Sequence, residues 1–373
     1  MADARSVGLL GIGTALPPTI RTNDHWAGLA SKRDDAQRAG DVLAIERSAD
    51  GQSSEMPPEI ATAMREMDDD LFRGAKLRHV LAPGELISDF ESAAVDAALR
   101  DAALSPDDID VVMVASLMPD RMIPSNAPAV QAKSRLRRAS AWSVDVGCAS
   151  FQAQLVAASA LVQSGVARHV AIVQSSAATR FVEELTPPAI GFGDGAAAAI
   201  VGAVPAGHGL ISHYLRTDGT LRDGIVLAPI VNGCPQEDWW TRREASARMA
   251  TFDTQMGKLA GLRAPDFVRE ACSGALARAE KTIDDVALYV GNQSVGWFVR
   301  ACCLAIGIPR ERAVDTFAEV ANIGSAAILF NLDRARREGR LRSGDWVLMY
   351  SPSAGFTLSA VVYRWMAPEE IRA

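Results

Sequence analysis

Few side chains in this chain have the type and setting to do chemistry. The first is Cys148, in VDVGCASFQAQL, where it follows an extended apolar segment and precedes helix-favouring residues. A thiol at a helix N-terminus meets unsatisfied N–H groups and a partial positive charge, which lowers its pKa toward the reactive thiolate. Gly147 permits a sharp strand-to-helix turn. Thiolates attack acyl carbonyls, so this pattern points to acyl transfer through a thioester. A buried structural cysteine is the competing reading, and these residues alone leave both open. Of the other cysteines, Cys272, Cys302 and Cys303 read as helix packing and Cys234 as a loop residue.

Three polar turns accompany it. Asn322, in ANIGSAAI, precedes a run of small residues; it reads either as a helix cap or as an amide donating to a substrate carbonyl or enolate. Asn292 and Gln293, in GNQSVGW, follow the apolar strand VALYV and read as a polar loop or a second set of site amides. Gly355, in SPSAGFT, shapes a turn between two strands and can pair its N–H with that of Cys148 as an oxyanion hole. The glycine-rich GFGDGAAAAIVG lacks Gly-Lys-Ser/Thr, so it reads as a turn with close backbone packing and not as a phosphate loop. The five histidines show neither HExxH nor HxxxH spacing, which argues against metal hydrolysis. His213 reads as a polar strand residue, with a functional role as the alternative.

The elements that must position these residues alternate. Apolar strands are expected at 7–13, 109–116, 141–147, 169–176, 196–203, 286–293, 346–352 and 357–365. Helices are expected at 91–104, 151–165, 267–281 and 325–339. Continuous apolar strands alternating with helices imply α/β layers around a buried sheet. Two stretches repeat one pattern. Residues 91–118 run helix, SPDDIDVVMVASLM; residues 267–295 run helix, KTIDDVALYVGNQSV. The units that follow also match, and Cys148 in the first copy falls near Gly324-Ser325 in the second. Such a duplication turns both helix starts toward a shared centre, where a site is expected. The chain divides into halves 1–205 and 206–373. The polar, acidic stretch 23–73 reads as a partly helical surface insertion, or as a cap over a substrate entrance or a dimer contact.

Composition narrows the class. The chain has 373 residues, 49% hydrophobic, with a net charge of −7. It is long enough for a large core. Its acidity argues against nucleic-acid or membrane-surface binding. Scattered cysteines without CxxC spacing fit neither a disulfide framework nor a zinc site. No charge-free apolar run is long enough to span a bilayer, and the N-terminus lacks secretory signal features. A soluble, cytoplasmic protein is expected.

Several motifs, in order along nearly the whole chain, resemble the thiolase superfamily, and within it the ketoacyl-ACP synthase III group. They are GLLGIGTALPPTIRTND, SLMPDRMIPSNAPAVQ, VDVGCASF, GFGDGAAAAIVG, DTFAEVANIGSAAI and SAGFT. The resemblance implies a duplicated five-layered αβαβα architecture and a homodimer. It implies Cys148 as acyl acceptor, Asn322 as the site asparagine and Gly355 with Cys148 as the oxyanion hole. It also implies acyl-CoA or the phosphopantetheine of an acyl carrier protein as donor, with no resident cofactor. The family's His-Gln-Ala-Asn motif reads Asn292-Gln293-Ser294-Val295 here, which puts Asn292 in the position of the family's histidine. An asparagine donates hydrogen bonds but exchanges no proton near neutral pH. The elbow between Asp145 and Cys148 is shorter than the family's, and the stretch 23–73 is longer. Trp26 lies too early to match the family's coenzyme A-gripping tryptophan, which tilts the donor toward a carrier protein or an unusual acyl group. The function expected is an acyltransferase of specialised metabolism that loads Cys148 and passes the acyl group to a non-malonyl acceptor. A decarboxylative condensing enzyme and a catalytically silent subunit of a synthase heterodimer are the alternatives.

Overall fold

The computed structural model describes residues 6–27, 56–67, 70, 72–182, 187–231, 234–235, 246–250 and 254–372. The strands in chain order are β1 (Val7–Ala15), β2 (Ile20–Thr22), β3 (Leu77–His79), β4 (Val111–Leu117), β5 (Ser140–Ser143), β6 (Val170–Ser176), β7 (Gly195–Ala203) and β8 (Gly209–Thr217). They continue with β9 (Val226–Val231), β10 (Cys234–Pro235), β11 (Ser246–Ala250), β12 (Val286–Gly291), β13 (Ala313–Val314), β14 (Trp346–Pro352) and β15 (Thr357–Arg364). The α-helices are α1 (Pro58–Arg65), α2 (Ile87–Ala102), α3 (Asn126–Lys133), α4 (Ser150–Gln163) and α5 (Thr254–Leu262). After these come α6 (Ala264–Arg278), α7 (Phe298–Ile306), α8 (Phe317–Val320), α9 (Ala326–Arg337) and α10 (Pro368–Ile371).

Two sheets of five strands share one plan. The first runs β5-β4-β6-β7-β1 and the second β13-β12-β14-β15-β8. In each, the first three strands pair in parallel, and the fourth, β7 or β15, runs antiparallel to both of its neighbours. The duplication extends to small detail. Ser105 and Asp108 form a capping box before β4, and Thr282 and Asp285 form the same box before β12. Here the hydroxyl and carboxylate satisfy orphan backbone groups reciprocally.

Helices α4 and α9 lie between the sheets. Phe151, Leu155, Ala158 and Val162 of α4 and Ile328, Leu329, Leu332 and Ala335 of α9 share one core with the inner faces of both sheets. That core includes Val111, Ile172 and Val201 of the first sheet and Leu288, Met349 and Val361 of the second. Helix α2 covers the outer face of the first sheet through Ala94, Val95 and Ala98. Helix α6 covers the second through Val268, Ala271 and Ala275. The result is five layers, α–β–α–β–α. Each fully buried Phe, Leu, Ile or Val side chain contributes about 1.5–3 kcal/mol, so these three clusters hold the layers together.

Two expectations are corrected. The strand expected at 141–147 ends at Ser143, because Asp145 accepts the Gly147 N–H and Gly147 turns with φ +56°. Cys234, expected in a loop, lies in β10. Cys272 in α6 and Cys302 and Cys303 in α7 are buried, as helix packing requires. Of the 23–73 stretch, the described part contains a short 3-10 turn (Asn23–Trp26) and α1; the remainder of that expectation lies outside the described residues. Helix α1 packs Ile60 and Ala63 against Ala301 of α7, and Arg300 pairs with Glu66 at 3.1 Å. No described helix is long and apolar enough to cross a membrane.

Candidate active site

Cys148 sits in a tight turn between β5 and α4. The Gly147 N–H donates to Asp145 Oδ1 at 2.7 Å, the Ala149 N–H to the Val146 carbonyl at 3.2 Å, and the Ser150 N–H to the Gly147 carbonyl at 3.0 Å. Ser150 Oγ accepts from the Val146 N–H at 2.8 Å. These bonds compress the elbow into few residues and end in α4, whose N-cap is Ala149. Cys148 therefore precedes the helix by two residues instead of standing in its first turn. Burial, with the nearby charge of Asp145 adding to it, pushes its thiol up to about 11. The lowered pKa expected from the helix N-terminus is not found: desolvation and the like charge of Asp145 both oppose the thiolate.

Asn292 and Gln293 follow the C-terminal end of β12. Asn292 is 1% exposed and donates Nδ2 to the Gly324 carbonyl at 3.1 Å. Its Oδ1 has no hydrogen-bond partner. Both polar ends of the Gln293 side chain are bonded. Its Nε2 donates to the Ala321 carbonyl at 2.8 Å, and its Oε1 accepts from the Thr316 N–H at 3.2 Å and from Asn331 Nδ2 at 3.0 Å. Ala321 has φ +55°, a conformation that costs a non-glycine residue of order 1–3 kcal/mol. The Gln293 bond helps to hold it there.

That strained residue sets up Asn322. Asn322 is not the helix cap: α9 begins at Ala326, with Ser325 as N-cap. Its Oδ1 accepts from the Gly324 N–H at 2.9 Å and its Nδ2 donates to the Ser294 carbonyl at 3.2 Å. Its backbone is clamped by the glycine-rich turn. The Asn322 N–H donates to the Gly191 carbonyl at 2.9 Å, and the Gly193 N–H donates to the Asn322 carbonyl at 3.1 Å. A Cβ on Gly193 would lie 2.3 Å from the Val320 carbonyl oxygen. The reading of GFGDG as a close-packed turn therefore agrees with its geometry.

The two halves meet reciprocally at these helix starts. A Cβ on Gly147 would lie 3.3 Å from Ser353 Cβ, just beyond β14 of the second sheet. Gly324 (φ +62°) comes within 3.4 Å of Ser176 Cβ, at the end of β6 of the first sheet, by the same measure. Ser351 Oγ donates to the Cys148 carbonyl at 2.7 Å. Gly355 (φ +77°) occupies the turn that joins β14 to β15, two residues beyond Ser353. The structure thus brings Asn292 and Asn322 together around Gly324, and brings Cys148 against the strand end that leads to Gly355.

His213 does not join this group. It lies on edge strand β8 opposite Val361, four residues along the ladder from the Thr217–Thr357 pair, or about 13 Å. Burial and Arg278 of the outer helix lower its pKa. Trp26 is buried, with the Arg78 guanidinium 4.6 Å from its ring centroid. Among the described residues, no cluster of three metal-binding side chains occurs.

Sequence reasoning missed several of these side chains. Thr316, Asn331, Ser351 and Asp145 position the site, and each belongs to a residue type common in loops and caps. Only their burial or their partners mark them. Gln152, inside the motif carrying Cys148, has no sequence signal of its own.

With this geometry in view, comparisons with known proteins are informative. Residues 143–219 match the family profile described as 3-oxoacyl-[acyl-carrier-protein (ACP)] synthase III, and residues 276–365 match the profile of its C-terminal region. A β-ketoacyl-[acyl-carrier-protein] synthase III of Streptomyces coelicolor is 33% identical over 301 residues, covering 80% of this chain and 88% of the relative. One from Rhodobacter capsulatus is 32% identical over 298 residues, covering 78% and 88%. Among solved structures, a β-ketoacyl-[acyl carrier protein] synthase III of Thermus thermophilus superposes with a TM-score of 0.74 at 28% identity, covering 96% of this chain and 99% of that one. The priming β-ketosynthase of the R1128 polyketide pathway shares the fold with a TM-score of 0.78 at 23% identity, covering 99% and 98%.

Proposed function

Because the chain belongs to the 3-oxoacyl-[acyl-carrier-protein] synthase III family, a family of thiolase-fold transferases, we propose that it is an acyltransferase of specialised metabolism. In this reading Cys148 takes an acyl group from acyl-CoA or from an acyl carrier protein, and passes it to a hydroxyl, amine or thiol. The same reading carries a cytoplasmic homodimer with no resident cofactor.

The observation that supports it is the unpartnered Oδ1 of Asn292, the residue matched to the family's histidine. A buried acceptor without a partner costs about 1–3 kcal/mol, and a hydrogen-bond donor relieves that cost. An incoming O–H, N–H or S–H brings such a donor; an enolate oxygen does not. In the first step the Cys148 sulfur attacks the thioester carbonyl, and the departing thiol leaves with the proton that Cys148 gives up. The N–H groups of Cys148 and Gly355 stabilise the oxyanion. In the second step the acceptor attacks the acyl-Cys148 carbonyl, the C–S bond breaks, and the departing sulfur takes the acceptor's proton. A thiol with a pKa of about 11 forms a thiolate basic enough to do so. Asn292 Oδ1 orients the acceptor's hydrogen and Asn322 holds the neighbouring carbonyl.

A second reading, decarboxylative condensation with a malonyl thioester, is supported by the family's names and by the amide chemistry. Asn292 and Asn322 each keep a second Nδ2 hydrogen, and decarboxylation requires no base. Malonyl thioester labelled in its free carboxyl separates the two. Carbon dioxide release that depends on Cys148 and Asn322 overturns the acyltransferase reading. Transfer to a hydroxyl or amine without such release supports it.

A further inference from the structure

Gln152 is fully buried, yet neither its Nε2 nor its Oε1 has a hydrogen-bond partner. Among the described residues it is the one buried side chain that leaves two polar atoms unpartnered. Its position is specific. It lies in the first turn of α4, four residues after Cys148. A helical side chain leans toward the helix N-terminus and covers the preceding turn, so Gln152 reaches back toward the nucleophile's end of α4. Ser159, seven residues further on, occupies the same helix face about 10 Å away, and its buried Oγ is also unpartnered. The neighbouring Gln154 behaves differently. It is bonded through Nε2 to the Val144 carbonyl and through Oε1 to Gln174 Nε2 and the Val173 N–H. The lack of partners is therefore a property of one face of α4 and not of the helix as a whole.

An unpaired amide in a core is expensive, and an apolar side chain of the same length would remove the cost. A partner supplied by a substrate explains the residue. From this stripe we infer that the acyl group carried on Cys148 is polar. It bears a hydroxyl or amide function that exchanges hydrogen bonds with Gln152, in contrast to an unsubstituted alkyl chain. Gln152 is then a specificity-determining residue for the acylation step written above, and the inference rests on that step. A hydroxyl both donates and accepts, which matches an amide that offers both.

The test compares donors of equal length, 3-hydroxybutyryl-CoA and butyryl-CoA, by the rate of adduct formation at Cys148 in intact-protein mass spectrometry. Wild type should load the hydroxylated donor at least tenfold faster, and Gln152→Met should abolish or reverse that ratio. In the same variant the melting temperature of the free protein should rise by about 2 °C, as relief of an unpaired buried amide predicts. Equal loading of both donors by wild type, or a ratio unchanged in Gln152→Met, overturns the inference while leaving thioester formation intact. A fall in melting temperature, with the ratio unchanged, assigns Gln152 a structural role and overturns it equally. No adduct at Cys148 with either donor, or with their carrier-protein thioesters, overturns thioester formation itself.

Discussion

The side-chain Nδ2 of Asn292 donates to the carbonyl of Gly324 at 3.1 Å, tying the end of β12 to the turn that starts central helix α9. The bond commits one amide hydrogen to the scaffold and leaves Oδ1 unpartnered at a residue 1% exposed. An imidazole at this position would add a group that exchanges protons near neutral pH. An imidazole N–H is also a preorganised donor to a developing enolate oxygen, so Asn292→His is expected to raise carbon dioxide release from a malonyl thioester about tenfold or more. Transfer to a hydroxyl or amine acceptor should fall. The assay is paired label release and product formation; an unchanged rate of decarboxylation would remove Asn292 from the reacting centre.

Cys148 should alkylate slowly at neutral pH. With its thiol at about 11, the thiolate fraction grows tenfold for each unit of pH below that value. The rate of iodoacetamide modification should climb through pH 7 to 10 without levelling. A plateau near pH 8 contradicts this. Asp145 raises the thiol pKa, so Asp145→Asn, which keeps an acceptor for the Gly147 N–H, should shift the profile to lower pH and speed labelling at pH 8.

Gly147 has φ +56° and faces Ser353. Gly147→Ala forces a Cβ into the left-handed region at a cost of roughly 1–2 kcal/mol and toward Ser353. Acylation of Cys148 should drop at least tenfold, with a lower midpoint in thermal or urea denaturation. Normal loading in this variant would show that the elbow tolerates relaxation.

Ser351 donates to the Cys148 carbonyl at 2.7 Å across the two halves. Ser351→Ala leaves that carbonyl without this donor, at a cost of about 1 kcal/mol. The expected signature is a modest loss of stability with a larger loss in the rate of Cys148 acylation, read by denaturation and by adduct kinetics on the same preparation. Equal small effects on both would make the bond purely structural.

Much of the architecture was legible in the sequence because it rests on local patterns. The strand expected at 346–352 is observed over those residues, and those at 7–13 and 357–365 are observed to within two residues. Continuous apolar runs leave little choice for a buried strand. The repeated Asp-Asp turns announced the duplication, and both close as capping boxes. The 141–147 strand failed for the opposite reason. Its apolar pattern continues, but the Asp145 side chain offers the backbone a turn that the pattern does not encode.

The sequence by itself determined the layers, the two copies and the order of the motifs, since helix and strand periodicity, glycine turns and capping pairs act over a few residues. Only the tertiary structure decided the chemical state of the site. Whether the Cys148 thiol is raised or lowered depends on how much protein surrounds it and on the charge of Asp145. Whether Asn292 offers a donor or an acceptor depends on the Gly324 carbonyl, 32 residues away. That Gln152 is unpartnered depends on what the fold fails to bring near it. Burial and long-range pairing are properties of the packed chain, because desolvation and hydrogen-bond partners come from residues far apart in sequence.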